Sequence, residues 1–433
     1  MNFVKHIREN ILTTGIMTAL IALTCSILPY MAPIAGIRNN RIYLVGIVAM
    51  YIMAVLIAKT KASLWAPLLI AYTGLRLFFG ATELEGTAIY IILAMSLIYY
   101  FGIVAYRQGI AKAHIYNTIC IIALLNIAFA ICQYFGLPLP KPGAESGKFF
   151  TGGLIGLMAN PNEFAALLAI CLPFFFRKTW AYCIPLMALG FVLARSTNGM
   201  LAGTIITMIW AILQANKERS LMRRNVKILA MCCGVMLLFA AFITQVDRFN
   251  IKEQMEGRGF IYLKSIQVAM TKPLTGWGFA QYEYIIPLLS FSRYAPSWEI
   301  PLYVANIKDM DAIRDTITRM TGTENLVDIA FYLDAPENNV NAKFGQAHNE
   351  YVEMYFIGGL IGLILMLGLV WATLSKGFRM RDKLPALSFT ASCLTAIFFF
   401  TWQIIPLAVL TIAAMVMIHG HVLVPVDVWD EKG

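Results

Sequence analysis

Long apolar runs separated by short polar connections fill most of the chain. A helix needs about 20 apolar residues to cross the hydrocarbon core of a bilayer. Runs of that character lie near 11–35, 41–58, 62–80, 86–106, 113–136, 152–176, 180–194, 198–215, 226–245, 349–374, 384–400 and 403–420. They predict an all-α polytopic membrane protein with about twelve transmembrane helices, the runs at 180–194, 384–400 and 403–420 being short. One stretch breaks the rhythm. From Val246 to Ala347 no run is long enough to span, yet Phe260, Tyr262, Leu263, Ile266, Val268 and Met270 recur at helix-like spacing. That periodicity predicts helices inside a long extramembrane loop rather than disorder. The chain therefore divides into helices 1–9 (1–245), the loop (246–347), and helices 10–12 with a short tail (348–433).

Composition sharpens this picture. Hydrophobic residues make up 59% of the 433 and charged ones 13%, whereas a soluble globular chain carries about 25% charged residues. A soluble single core and an intrinsically disordered chain are both excluded. The net charge of +10 could point to nucleic acid, but the basic residues sit in short clusters between apolar runs and no nucleic-acid motif is present. Such clusters orient a membrane protein. With the N-terminus inside, seventeen Lys and Arg of the short connections fall on the cytoplasmic side and five on the other: Arg38, Arg41, Lys141, Lys148 and Arg195. This predicts cytoplasmic termini and an exoplasmic loop. The run that follows Lys5 and Arg8 reads as the first membrane helix rather than a cleaved signal. All eight cysteines fall inside apolar runs, so they read as small buried hydrophobes and not as a disulfide framework.

Polar groups in costly places are the candidates for chemistry. Arg76 lies in the third run, four residues from its outer end. It either snorkels to the interface or serves as a ligand. In Met158-Ala-Asn-Pro-Asn-Glu-Phe-Ala165, Pro161 interrupts the sixth run. Asn160 and Asn162 either satisfy carbonyls freed by a kink or line a wet cavity, and the two readings are compatible. Arg195 falls in the outer connection between runs seven and eight. Arg258 opens the first helical stretch of the loop, and His348 stands where the chain re-enters the membrane, beside a possible N-capping Asn349. Singly, each has a bland explanation as an anchor, a solvated cation or a cap. Together, Arg195, Arg258 and His348 fall on one face of the membrane. Two permanent cations suit a phosphate or pyrophosphate. A neutral imidazole can accept a proton from a hydroxyl. Asp309-Met-Asp311 looks like a metal-binding pair, but Arg314 and Asp315 continue it as a charged helix face, so no metal site is assigned. No cofactor fingerprint is present.

Three segments carry a family resemblance. They are Asn160-Pro-Asn162 with the following Phe164-to-Pro173 run; Arg258-Gly-Phe-Ile-Tyr-Leu-Lys leading to Pro273-Leu-Thr-Gly-Trp-Gly278; and Ala347-His-Asn-Glu-Tyr-Val-Glu followed by Gly358-Gly-Leu-Ile-Gly362. Their order and spacing, over about 150–375, resemble the bacterial O-antigen ligase/polymerase family of membrane glycosyltransferases. The resemblance implies a GT-C-like fold in the bacterial inner membrane and an undecaprenyl-pyrophosphate-linked glycan donor used at the periplasmic face. It implies inverting transfer without a metal. Arg258 would bind the pyrophosphate, and His348 would bind it or deprotonate the acceptor. The family often has Ser-Arg-Gly where this chain reads Thr197-Asn198-Gly199, with Arg195 three residues earlier. Arg195, Asn349, Asn160, Asn162 and Arg76 are expected on the substrate. The acceptor is expected to be a growing glycan, as in a polymerase, because the loop holds ten basic and twelve acidic residues rather than the excess of positive charge that an anionic lipid A core would call for. A ligase using that core is the alternative. A protein acceptor ranks last, since those relatives carry a further C-terminal domain. A secondary transporter is the alternative of another class, although the broken sixth run has no counterpart in the other half. Motifs of the peptidoglycan polymerases are not seen.

Overall fold

The computed structural model describes residues 65–69, 71, 72, 95, 96, 98–100, 102, 103, 106, 107, 112–137, 154–158, 160–215, 262, 265, 266, 268–270, 272–278, 349–399 and 401–421. Among them the helices are α1 (Lys112–Tyr134), α2 (Pro161–Phe175), α3 (Ile184–Ala194), α4 (Thr197–Ala215), α5 (Glu350–Arg379), α6 (Leu384–Ala396) and α7 (Ile405–Gly420), with a 3₁₀ turn at Ala181–Cys183. No strand occurs among the described residues. Of these, α1, α4 and α5 are long and apolar enough to cross a membrane, and the remaining helices are shorter but equally apolar. The chain is a helical membrane protein. The runs expected at 11–35, 41–58 and 226–245 lie outside the described residues.

The centre of the bundle is α2. Every side chain from Glu163 to Phe175 is buried, and α1, α3, α4, α6 and α7 all pack on it. Its fit against α4 is close enough that Gly199 meets Ala165 directly, with no room for a methyl group between them. Small residues permit such approach where lipid supplies no hydrophobic drive. Across its other side, the Ser388 hydroxyl of α6 donates to the Ile170 carbonyl at 2.8 Å.

Two expectations need correcting. The sixth run is not one kinked span over 152–176. Its helix begins only at Pro161, where Asn160 is the N-cap: its Oδ1 accepts from the Glu163 amide at 3.0 Å, and its Nδ2 donates to the Glu163 carboxylate at 2.6 Å. Proline at the first helical position and Glu at the third suit a helix start, and here the Glu163 carboxylate closes back on the capping side chain itself. Thus Asn160 satisfies amides of a helix start, not carbonyls freed by a kink. At 15 residues and a rise of about 1.5 Å each, α2 falls short of the ~30 Å hydrocarbon core. The irregular backbone before it is held by α1. Gln133 accepts from the amides of Ile155 and Gly156 and donates to the Gly156 carbonyl, while Asn126 accepts from the Leu157 amide. Non-helical backbone inside a membrane protein survives where protein groups satisfy it in this way.

The second correction concerns α5, expected as one continuous span. Its 30 residues are interrupted at Gly359, with φ 61° and ψ −164°. Beyond the break, Leu360, Ile364, Leu367 and Trp371 form an exposed apolar stripe at helical spacing. Before it, Glu350, Glu353 and Phe356 are buried. The piece from Leu360 to Arg379 has the ~20 residues of a span by itself, and Glu350–Gly358 is an inward-packed lead-in.

Candidate functional site

The break in α5 is filled by a segment from the long loop. At Gly359 the helix loses its own hydrogen bonds, and Pro273–Gly278 replaces them. The amides of Trp277 and Gly278 donate to the carbonyls of Phe356 and Ile357 at 2.8 and 2.9 Å. In return, the amides of Leu360 and Ile361 donate to Pro273 and Leu274 at 2.7 and 3.2 Å. Backbone groups away from water must be paired, and these four hydrogen bonds pair four amides with four carbonyls across the crossing. The Tyr72 hydroxyl is shared between the carbonyls of Gly358 and Thr275. Both glycines at the crossing have left-handed φ, 65° at Gly276 and 61° at Gly359. Each also lies where a side chain would strike the opposite backbone at 2.4 Å. A turn at 273–275 leads into the crossing, the Gly276 amide donating to the Lys272 carbonyl at 2.8 Å, and Gly278 is also at positive φ. Trp277 is pinned by its indole N–H to the Val268 carbonyl at 3.0 Å, with the Lys272 ammonium over its ring. The tail of the second sequence motif and the glycines of the third therefore form one clasp.

Around this end of the bundle lie the N-termini of α2, α4 and α5. Arg195 closes α3 in the left-handed conformation (φ 50°, ψ 36°), its amide bonded to the Phe191 carbonyl. It is the lone non-glycine residue with positive φ among the described residues. A helix end of this type usually carries glycine, and an L side chain there costs about 1–2 kcal/mol. The adjoining Ser196 is buried and donates to the Asn162 side chain at 2.7 Å. The loop before α2 is tied to α3 through the Leu154 amide and the Leu193 carbonyl. The backbone that carries the exposed Arg195 side chain is thus held in a stapled turn, beside helix N-termini whose amide dipoles favour anions.

The asparagines have structural partners. Asn160 caps α2, Asn162 holds Ser196, and Asn349 caps α5 by accepting from the amides of Tyr351 and Val352. The cap anchors the residue that follows His348 in sequence. Next to it, the buried Glu350 carboxylate accepts from the Trp402 amide at 2.7 Å and the Gln403 side chain at 3.1 Å, which ties α5 to the α6–α7 connection. Arg76, Arg258 and His348, and the Asp309–Asp311 pair, lie outside the described residues. Gln133, Asn126, Tyr72 and Glu350 were not anticipated as positioning groups. Asn126 and Gln133 were detectable, since two amides seven residues apart share one face of the apolar stretch that follows Thr118 in α1. No protein-family model and no curated protein matches this chain.

Proposed function

We propose that the chain is a membrane-embedded glycosyltransferase of the bacterial inner membrane, with both termini cytoplasmic. It moves a glycan from undecaprenyl pyrophosphate to an acceptor hydroxyl at the periplasmic face, joining repeat units of an O-antigen or related surface polysaccharide. The observation that carries this reading is the clasp between Pro273–Gly278 and Phe356–Ile361. It anchors the chain that runs on from Arg258 to the helix that begins just after His348. Arg195 supports the reading too, because an arginine in a conformation that suits glycine must be kept for its side chain.

In this mechanism Arg258 and Arg195 hold the pyrophosphate by charge-assisted hydrogen bonds. His348 takes the acceptor proton as the acceptor oxygen bonds to the anomeric carbon from the face opposite the leaving group. The glycosyl–phosphate bond breaks, the configuration inverts, and the lipid pyrophosphate leaves with the bonding pair. No metal or cofactor enters.

The discontinuous α5 favours a second reading, secondary transport, since transporters bind ions at unwound carbonyls. Here Trp277, Gly278 and Tyr72 already occupy those carbonyls, which weighs against it. The test is incubation of pure protein with lipid-linked glycan, with and without lipid A core. Lengthened glycan in the absence of core is expected. Transfer to core alone would identify a ligase. Arg258→Ala and His348→Ala should each lose at least about a hundredfold in rate with normal membrane insertion. Full activity of the Arg258→Ala protein would remove the pyrophosphate role.

A further inference from the structure

We propose that the basic end of the bundle, opposite Arg195, binds the phosphate headgroup of an anionic phospholipid between the start of α1, the end of α2 and the α5–α6 connection. The contacts there bring distant parts of the chain together. Lys112 forms a salt bridge with Asp382 at 2.7 Å, and the Tyr116 hydroxyl donates to the same carboxylate at 2.8 Å. The Tyr116 ring lies beneath two cations, Lys112 at 5.4 Å and Arg177 at 5.2 Å. Adding Lys178, Arg379, Arg381 and Lys383, this end gathers six cations around Asp382, the one carboxylate described there. Lys178, Arg379 and Arg381 are exposed. Among the described residues the positive charge at this end exceeds the negative, and an anionic headgroup would balance it.

Arg177 makes the cluster more than a diffuse field. Its guanidinium is stacked on Tyr116 and donates through Nη1 to Asn117 at 3.1 Å, and Asn117 also accepts from the Trp180 indole at 3.0 Å. One of five guanidinium donors is thereby used to fix the plane, and the fork can meet a phosphate two donors at a time. A pre-oriented arginine flanked by Lys178 and Arg381 is a recognition group.

The surroundings say that the phosphate belongs to a lipid. Tyr182, five residues past Arg177, is 74% exposed, and Trp371, two turns above Arg379, is 73% exposed. Exposed aromatic rings of this kind mark the headgroup level of a membrane. The stripe Leu360, Ile364, Leu367 and Trp371 leads from there into the apolar zone, where acyl chains lie. Basic pockets between helices are suited to acidic headgroups. This inference is independent of the glycosyl-transfer reading.

The experiment is native mass spectrometry of the full chain with equimolar phosphatidylglycerol and phosphatidylcholine. Phosphatidylglycerol should be retained about tenfold over phosphatidylcholine, and Lys178→Gln/Arg381→Gln should remove most of that preference. This pair leaves the Arg177–Asn117 and Lys112–Asp382 contacts in place, so folding is preserved; Arg177→Gln should lower retention further. Equal retention of the two lipids by the wild-type chain, or an unchanged preference in the double variant, would overturn the proposal. A competition arm uses glycerol 3-phosphate. If it displaces phosphatidylglycerol as well as phosphatidylglycerol itself does, the site takes a free phosphate and the lipid assignment fails.

Discussion

Arg195 sets two demands against each other. Its backbone suits glycine, and its side chain suits an anion. Arg195→Gly should therefore raise stability by about 1 kcal/mol while lowering glycosyl transfer at least about tenfold, to be read from the thermal midpoint and the rate on one preparation. A loss of both would make the arginine a structural residue. Asp382 carries a pH dependence. Burial acts to raise its carboxyl, but the hydrogen bonds from Lys112, the Leu384 amide and Tyr116, with the Lys112 charge, hold it below the usual aspartate range. A lowered folded pKa contributes stability that is complete above about pH 4 and drains away as the pH falls through the folded value. Unfolding of the wild type should show an acid-side loss there that Asp382→Asn lacks. At this scale the place of Arg195 in a short connection between two helices was legible from the apolar runs on either side. Its left-handed backbone was not, because no glycine marks it. The N-cap was written in Asn160-Pro-Asn-Glu163, though it was read as a kink or a cavity wall, and Asn349 was read as a cap.

Among elements, α5 shows what hydropathy misses. Its apolar run is unbroken, so a single span was the natural expectation, and Gly358-Gly359 reads equally well as close packing. The break exists because a distant segment supplies partners for it, and no local pattern encodes a partner 80 residues away. Gly276 and Gly359 are the weak points of that arrangement. Alanine at either would combine unfavourable φ with a backbone collision, so each should cost roughly 3 kcal/mol or more and undock Pro273–Gly278. Tyr72→Phe, which removes one shared hydroxyl, should cost only about 1 kcal/mol. Thermal unfolding of the three variants in detergent checks the order; a Gly359→Ala protein as stable as wild type would mean that the clasp is dispensable. The short α2 was misjudged for a related reason: residues 154–158 are apolar enough to pass for helix, and only the amides on α1 reveal that they are clamped loop.

Over the described part of the molecule, the apolar runs near 113–136, 198–215, 384–400 and 403–420 correspond to helices. Lys112, Arg177 and Lys383, assigned to one side by charge alone, do meet at one end of the bundle. From Lys112 to Tyr134 is about 33 Å at the helical rise, close to the thickness of the hydrocarbon core. Exposed Tyr134 and Phe135 stand at the far level, as Tyr182 and Trp371 do at the near one. The proposed orientation has a direct check. In a chain lacking native thiols, Lys178→Cys should react with an impermeant maleimide only after the membrane is opened, and Leu137→Cys in intact cells. The reverse pattern would put Arg195 in the cytosol.

The encirclement of α2 also bears on how the protein is made. Its neighbours α6 and α7 leave the ribosome about 200 residues after it, and at roughly 5–20 residues per second that is roughly 10–40 s. Throughout that interval the innermost helix, too short to cross the bilayer unaided, has to wait with one flank against lipid or against the insertion machinery. Assembly of this protein is therefore governed at its very centre by helices translated long after the one they enclose.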